Sequence, residues 1–190
     1  MRPFPRLLVL LLACIGLSAG LSAQAARAAD AEEAVRVTPA YRLGADDKIR
    51  VITYGEDSLS GDFLIGGAGK VSLPLVGEVQ AAGLTIPEFQ NQVEAAFKNG
   101  YLNDPHVSVE VLTYRPYYIL GEVQKPGEYP YSNGLTVLNA VATANGFTYR
   151  ANTKKVFIKR ANSAKEEKYP LSSTTPVAPG DTIRIAERFF

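Results

Sequence analysis

No tryptophan occurs in the 190 residues, and cysteine, histidine and methionine occur once each. A single cysteine, Cys14, excludes an internal disulfide, so packing must hold the fold together. A single histidine, His106, with no cysteine in the mature part, excludes an ordinary zinc ligand set. Charge of one sign is also missing. The formal net charge is +1, and loss of Arg2, Arg6 and Arg27 with residues 1–28 turns it to −2. Phosphate backbones demand a strong basic excess, so no nucleic acid is expected as a partner. A catalytic signature is absent too. Asp46, Asp47, Glu56 and Asp57 read as solvated turn residues rather than as the acid/base pair of a glycosidase. Gly66-Gly67-Ala68-Gly69-Lys70 lacks the spacing, the following Ser or Thr and the following helix of a phosphate-cradling loop, and reads as a hairpin turn. No enzyme activity, catalytic residue, cofactor or metal is assigned.

What is present is a repeat. Gly77-Glu78-Val79-Gln80-Ala81-Ala82-Gly83 recurs as Gly121-Glu122-Val123-Gln124-Lys125-Pro126-Gly127. Each copy follows an apolar run and leads through Leu-Thr (Leu84-Thr85, Leu135-Thr136) into a helix-like stretch. One strand–turn–helix device in two modules is expected. The turns Gly77, Glu78, Gly83, Gly121, Glu122, Pro126, Gly127 and Tyr129 are candidate assembly or ligand contacts.

Residues 1–28 combine a basic start, the apolar run Leu7–Leu21 and small-x-small sites at Ala23-Gln24-Ala25 and Ala26-Arg27-Ala28. That is the build of a secretory signal peptide, with a run shorter than the ~20 residues that span a bilayer. Leu11-Leu12-Ala13-Cys14 resembles a lipobox. Cys14 is read as an apolar filler, with lipidation as the alternative. Residues 30–37 read as an acidic tether.

Beyond it, a Gly/Asp turn in Gly44-Ala45-Asp46-Asp47 opens a strand, and Pro179-Gly180-Asp181 before Ile183-Arg184-Ile185 echoes it. Thr85 and Glu88 have capping-box spacing, Pro87 suits a first turn and Gly100 a stop. Ile86, Phe89, Val93, Ala96 and Phe97 share one face of that helix, with Glu88, Gln92 and Glu94 towards water. His106 to Leu112 alternates as a half-buried strand with His106, Ser108 and Glu110 outward. Tyr117–Leu120 reads as a strand, Lys125–Tyr129 as a turn, Thr136–Ala144 as a helix closed by Asn145-Gly146, and Lys155–Arg160 as a further strand. Tyr114, Tyr117, Tyr118, Tyr129 and Tyr131 are mostly core or cross-strand partners, any one of which could stack on a sugar.

Several of these segments carry a family resemblance. Tyr41-Arg42-Leu43-Gly44, Asp47-Lys48-Ile49-Arg50-Val51, Val71-Ser72-Leu73-Pro74-Leu75-Val76-Gly77 and Ala82-Gly83-Leu84-Thr85 resemble the N-terminal domain of bacterial outer-membrane polysaccharide export proteins. Leu120-Gly121-Glu122-Val123, Lys125-Pro126-Gly127-Glu128-Tyr129 and Leu135–Val141 resemble the soluble-ligand-binding β-grasp (SLBB) domain that follows it. The resemblance implies an α+β chain: signal peptide 1–28, export domain 38–113, SLBB β-grasp domain 114–187. It also implies a periplasmic, outer-membrane-associated subunit of a capsular or exopolysaccharide export system. The partners implied are polysaccharide, further copies of the chain as a homo-oligomer, and an inner-membrane polysaccharide co-polymerase.

Two departures stand out. Ala45-Asp46-Asp47 occupies the place of the family's usual Pro-Gly-Asp. The sequence given stops at Glu187-Arg188-Phe189-Phe190 without the C-terminal amphipathic helix of larger members, which points to a separate outer-membrane channel protein. The alternative functions are a periplasmic carbohydrate-binding module that forms no conduit and, last, a polymer-cleaving enzyme.

Overall fold

The computed structural model describes residues 40–188. The signal peptide, Cys14, the acidic tether and Phe189-Phe190 lie outside the described residues. Among the described residues, ten strands and two α-helices build two successive cores.

The first core is organised by β1 (Lys48–Thr53), whose alternation sends Ile49, Val51 and Thr53 inward and Lys48, Arg50 and Ile52 outward. β1 lies between β2 (Gly61–Leu64) and β5 (Val107–Thr113), antiparallel to both. Against this sheet packs α1 (Ile86–Lys98), burying Phe89, Val93 and Phe97. Burial of such side chains stabilises by about 1.5–3 kcal/mol each. The predicted capping box is present. Thr85 Oγ1 accepts from the Glu88 N–H at 3.4 Å, and the Glu88 carboxylate accepts from the Thr85 N–H at 2.7 Å. His106, Ser108 and Glu110 are exposed, as the alternation of β5 requires.

The cap makes a pH-dependent prediction. Bonds from the Thr85 backbone, then from its hydroxyl, hold the exposed Glu88 carboxyl below its ordinary value of 4.5. A lowered folded value stabilises above the unfolded value and stops doing so as pH falls through the folded one. The urea midpoint should therefore drop below pH 4.5, with a shallower acid loss in Glu88→Gln; equal slopes in the two proteins would place the acid sensitivity elsewhere. Thr85→Ala removes about 1 kcal/mol at neutral pH.

Three expectations for this module change. Glu94 does not face water: it is half-buried, and its Oε1 accepts the Val107 N–H at 2.8 Å, tying α1 to the start of β5. Gly66–Lys70 is a tight turn, closed by the Gly66 N–H to Lys70 carbonyl bond at 2.9 Å, but the strands around it do not form a hairpin ladder. Instead β3 (Lys70–Leu73) pairs with β4 (Gly77–Gln80) in a separate two-stranded sheet. The first Gly-Glu-Val-Gln is thus itself a strand, with Gly77 at φ +72° where the chain leaves its turn.

The second core is one five-stranded sheet in the order β7-β6-β10-β8-β9, with α2 (Val137–Thr143) contributing Val137, Ala140 and Val141 to the core. Its strands are β6 (Tyr117–Gly121), β7 (Gly127–Tyr129), β8 (Lys155–Lys159), β9 (Glu166–Pro170) and β10 (Thr182–Ile185). Two hairpins, β6–β7 and β8–β9, are joined by β10, which runs parallel to β6 and antiparallel to β8. This is the β-grasp strand order, so the α+β class with a β-grasp second module holds. Lys125–Tyr129 is not only a turn, since Gly127–Tyr129 is a strand opposite Tyr117–Ile119. The second copy of the repeat leaves β6 and contacts the end of α2: Gln124 and Lys125 donate backbone N–H groups to the Gly146 and Ala144 carbonyls. One sequence motif therefore serves two different structures.

Candidate functional site

The polar residues that join the two modules start from the two Asp turns noticed in the sequence. In Gly44-Ala45-Asp46-Asp47 the Asp47 carboxylate accepts the Gly44 N–H at 2.7 Å; in Ala178-Pro179-Gly180-Asp181 the Asp181 carboxylate accepts the Ala178 N–H at 2.8 Å. The third residue has positive φ in both, Asp46 at +69° and Gly180 at +81°. Asp tolerates this left-handed region better than most side chains, which is why Ala45-Asp46-Asp47 can stand in for Pro-Gly-Asp.

Asp47 is fully buried, which overturns its reading as a solvated turn residue. Besides Gly44 it accepts the Arg115 N–H at 2.8 Å, Arg115 Nη1 at 3.1 Å and the Tyr41 hydroxyl. Arg115 directly precedes Pro116, which biases it to extended backbone. Its Nε also donates to the Pro179 carbonyl at 3.1 Å, and its guanidinium lies 5.7 Å from the Tyr41 ring centre. One arginine thus binds the opening turn of the first module to the closing turn of the second. Burial, then the hydrogen bond and charge of Asp47, push the Tyr41 phenol well above its ordinary range, so it remains a donor. Tyr41, Tyr114 and Tyr131 form an edge-to-face series across the joint, with ring centres 4.9 and 5.5 Å apart. Asp181, in the second turn, is held by Arg160 Nη1 at 2.5 Å; burial pushes its carboxyl upward, against the lowering effect of Ala178 N–H and Arg160.

Beside the joint opens a cleft of about 290 Å³, lined by residues that include Asp46, Arg115, Tyr118 and Asn162. A second hollow, of about 280 Å³, lies at the C-terminal half of α1 near Asp104 and His106.

The residues singled out in the sequence divide between the modules. Glu78 is exposed on β4 and paired with Lys70 at 3.0 Å. The Gly83 carbonyl accepts Arg42 Nη1 at 2.7 Å, and its φ is +87°. Gly121 ends β6 at φ +89°, where a Cβ would fall on the Ile185 carbonyl. Glu122 is half-buried and bound to the Thr148 hydroxyl. Pro126 and Gly127 are exposed, and the Tyr129 hydroxyl donates to the Lys125 carbonyl at 2.8 Å while its ring stacks on Tyr117. These contacts are internal; Gly121 and Glu122 shape the second module. Arg115 and Tyr41 were not singled out. The available signal was the paired Asp turns, each of which buries a carboxylate that needs a cation.

Comparison with known proteins agrees with this layout. The profile described as polysaccharide biosynthesis/export protein matches residues 35–112, and that of the SLBB domain residues 116–171. The exopolysaccharide production protein ExoF of Rhizobium meliloti (strain 1021) is 37% identical over 153 residues, covering 74% of this chain and 35% of that protein. The polysialic acid transport protein KpsD of Escherichia coli is 28% identical over 173 residues, covering 84% of this chain and 30% of that protein. The chain therefore spans about a third of the length of the curated relatives it matches.

Proposed function

Because the chain belongs to the polysaccharide biosynthesis/export protein family and carries an SLBB domain directly behind that family's own domain, we propose that it is a non-catalytic subunit of a capsular or exopolysaccharide export system. It acts in the periplasm at the outer membrane, as an oligomeric conduit or adaptor, with domains taken as 38–113 and 114–187. The observation that carries this reading is the Arg115–Asp47 joint. A subunit that meets copies of itself in a closed ring must present both of its contact faces at a fixed angle. A buried charge pair reinforced by backbone and phenol hydrogen bonds supplies that rigidity. The same joint argues against a glycosidase, since Asp47 is committed to Arg115 and has no access to a substrate.

The inner-membrane partner is an assembly that makes or lengthens the polymer. Of the repeated turns, the first copy is the contact candidate, because Glu78 is exposed whereas Glu122 is tied to Thr148.

Deletion of the gene is expected to remove a surface polysaccharide. Unchanged secretion of every surface polymer would sink the export assignment. The purified mature protein should run as a ring-sized particle, and Glu78→Lys should shift it to smaller species without changing its circular dichroism. A wild-type monomer at all concentrations would remove the oligomeric part of the proposal.

A further inference from the structure

We propose that the cleft beside the inter-module joint binds one unit of an uncharged, hydroxyl-rich sugar chain, with Tyr118 as the stacking platform and Asp46 and Asn162 as the hydroxyl-binding groups. This deepens the export reading and rests on it for the identity of the polymer class.

The five tyrosines clustered between Tyr114 and Tyr131 are not equivalent. Tyr117 is buried, Tyr129 stacks on it in register across β6 and β7, and Tyr114 and Tyr131 belong to the edge-to-face series at the joint. Tyr118 alone among them points away from the core and is 42% exposed, at the wall of the cleft. A sugar ring has apolar C–H faces and a hydroxyl rim. It therefore requires an aromatic surface bordered by planar polar groups that accept and donate in pairs.

The polar groups at the cleft fall into two sets. Arg115 is engaged by Asp47, Tyr41 and Pro179, and its charge is matched by Asp47. Asp46 and Asn162 line the same cleft, and neither side chain makes a hydrogen bond to another described residue. Asp46 stands at the positive-φ position that glycine fills in the sister turn, so this turn carries a carboxylate where its sister carries no side chain. The cleft is at the low end of ligand-pocket volumes, enough for a single sugar unit of a chain passing over it. Its unmatched charge is the negative one of Asp46, so an acidic sugar is repelled and a neutral one accepted.

The test uses the full chain, ¹⁵N-labelled, titrated with cellotetraose, maltotetraose, laminaritetraose and, as the acidic counterpart, tetragalacturonate. At least one neutral tetramer should shift the amides of Asp46, Tyr118 and Asn162, with tetragalacturonate inert. Tyr118→Ala should weaken that binding about tenfold and Tyr118→Phe by no more than about twofold, since the phenyl face is retained. Asp46→Asn should admit the acidic ligand that the wild type excludes. Both side chains are outward-facing, so the variants should keep the wild-type amide spectrum elsewhere. The proposal is overturned if no neutral tetramer shifts these amides, if the shifts map to the β3–β4 hairpin instead, if wild type binds tetragalacturonate equally well, or if Tyr118→Ala binds normally. Gene deletion separates this from the export reading. Lost surface polymer with no binding leaves export standing and removes the cleft; normal surface polymer with binding does the reverse.

Discussion

Asp47→Ala should cost the folded state about 3–5 kcal/mol, the usual loss when one partner of a buried ion pair is removed. Four interactions end at this carboxylate, from Gly44, Tyr41 and the backbone and guanidinium of Arg115, and none of its surface reaches water. Exposed pairs such as Lys70–Glu78 contribute far less, because solvent screens them and long side chains must be immobilised. Arg115→Ala should be comparably damaging, since it strands the Asp47 charge, while Asp47→Asn should be milder because the amide oxygen can still accept from Gly44. The measurement is urea denaturation followed by circular dichroism, the chain having no tryptophan to report by fluorescence. A loss below about 1 kcal/mol would show that the joint behaves as a surface pair. The double variant should cost clearly less than the sum of the singles, the signature of residues in direct contact. Chymotrypsin should also cut more readily after Tyr114, in the connection between the modules, in Asp47→Ala, if the joint is what holds the modules at a fixed angle.

Gly121→Ala should cost about 3 kcal/mol or more, against about 1–2 kcal/mol for Gly77→Ala, although both glycines open a copy of the same motif. Both have positive φ, +89° and +72°, so each alanine carries left-handed strain. Gly77 has open space where a Cβ would stand, and strain is the whole cost. At Gly121 the Cβ falls on the Ile185 carbonyl, a backbone atom at the end of β10 that also accepts the Glu122 N–H at 2.9 Å. Relief requires β6 and β10 to separate there, and those two form the central parallel pair of the sheet. Thermal melts of the two variants decide the point. Equal shifts would mean that the close approach at Gly121 relaxes without loss.

The parts of this architecture that could be read from sequence are those governed by local rules. The helix from Thr85 was legible because cap, first-turn proline and apolar spacing all act within a few residues. β5 was legible because His106 to Leu112 alternates without interruption. β9 was missed: Glu166-Glu167-Lys168-Tyr169-Pro170 is an edge strand with polar side chains on both faces, so it has no apolar period to detect. The β3–β4 pairing was missed because Val71 to Val76 reads as one apolar run, whereas a turn at Pro74–Val76, with Leu75 at φ +65°, splits it. The joint depended on a contact between residues 47 and 115, and sequence spacing carries no signal at such a separation. Glu94 was placed in water by its type, yet the Val107 N–H needed an acceptor and Glu94 is the side chain that provides one.

The central place of β10 has a consequence for the order in which the chain can mature. During synthesis from the N-terminus, β1 to β5 and α1 are all available before Arg115 appears, so the first core can close early. The second cannot. Its two hairpins share no ladder until Thr182–Ile185 arrives between them, and Arg160 has no Asp181 to meet before then. Until that last strand is delivered, β6 and β8 carry unpaired edges that could recruit other chains. A holding factor or rapid delivery of the C-terminal segment would therefore matter for this module and not for the one before it.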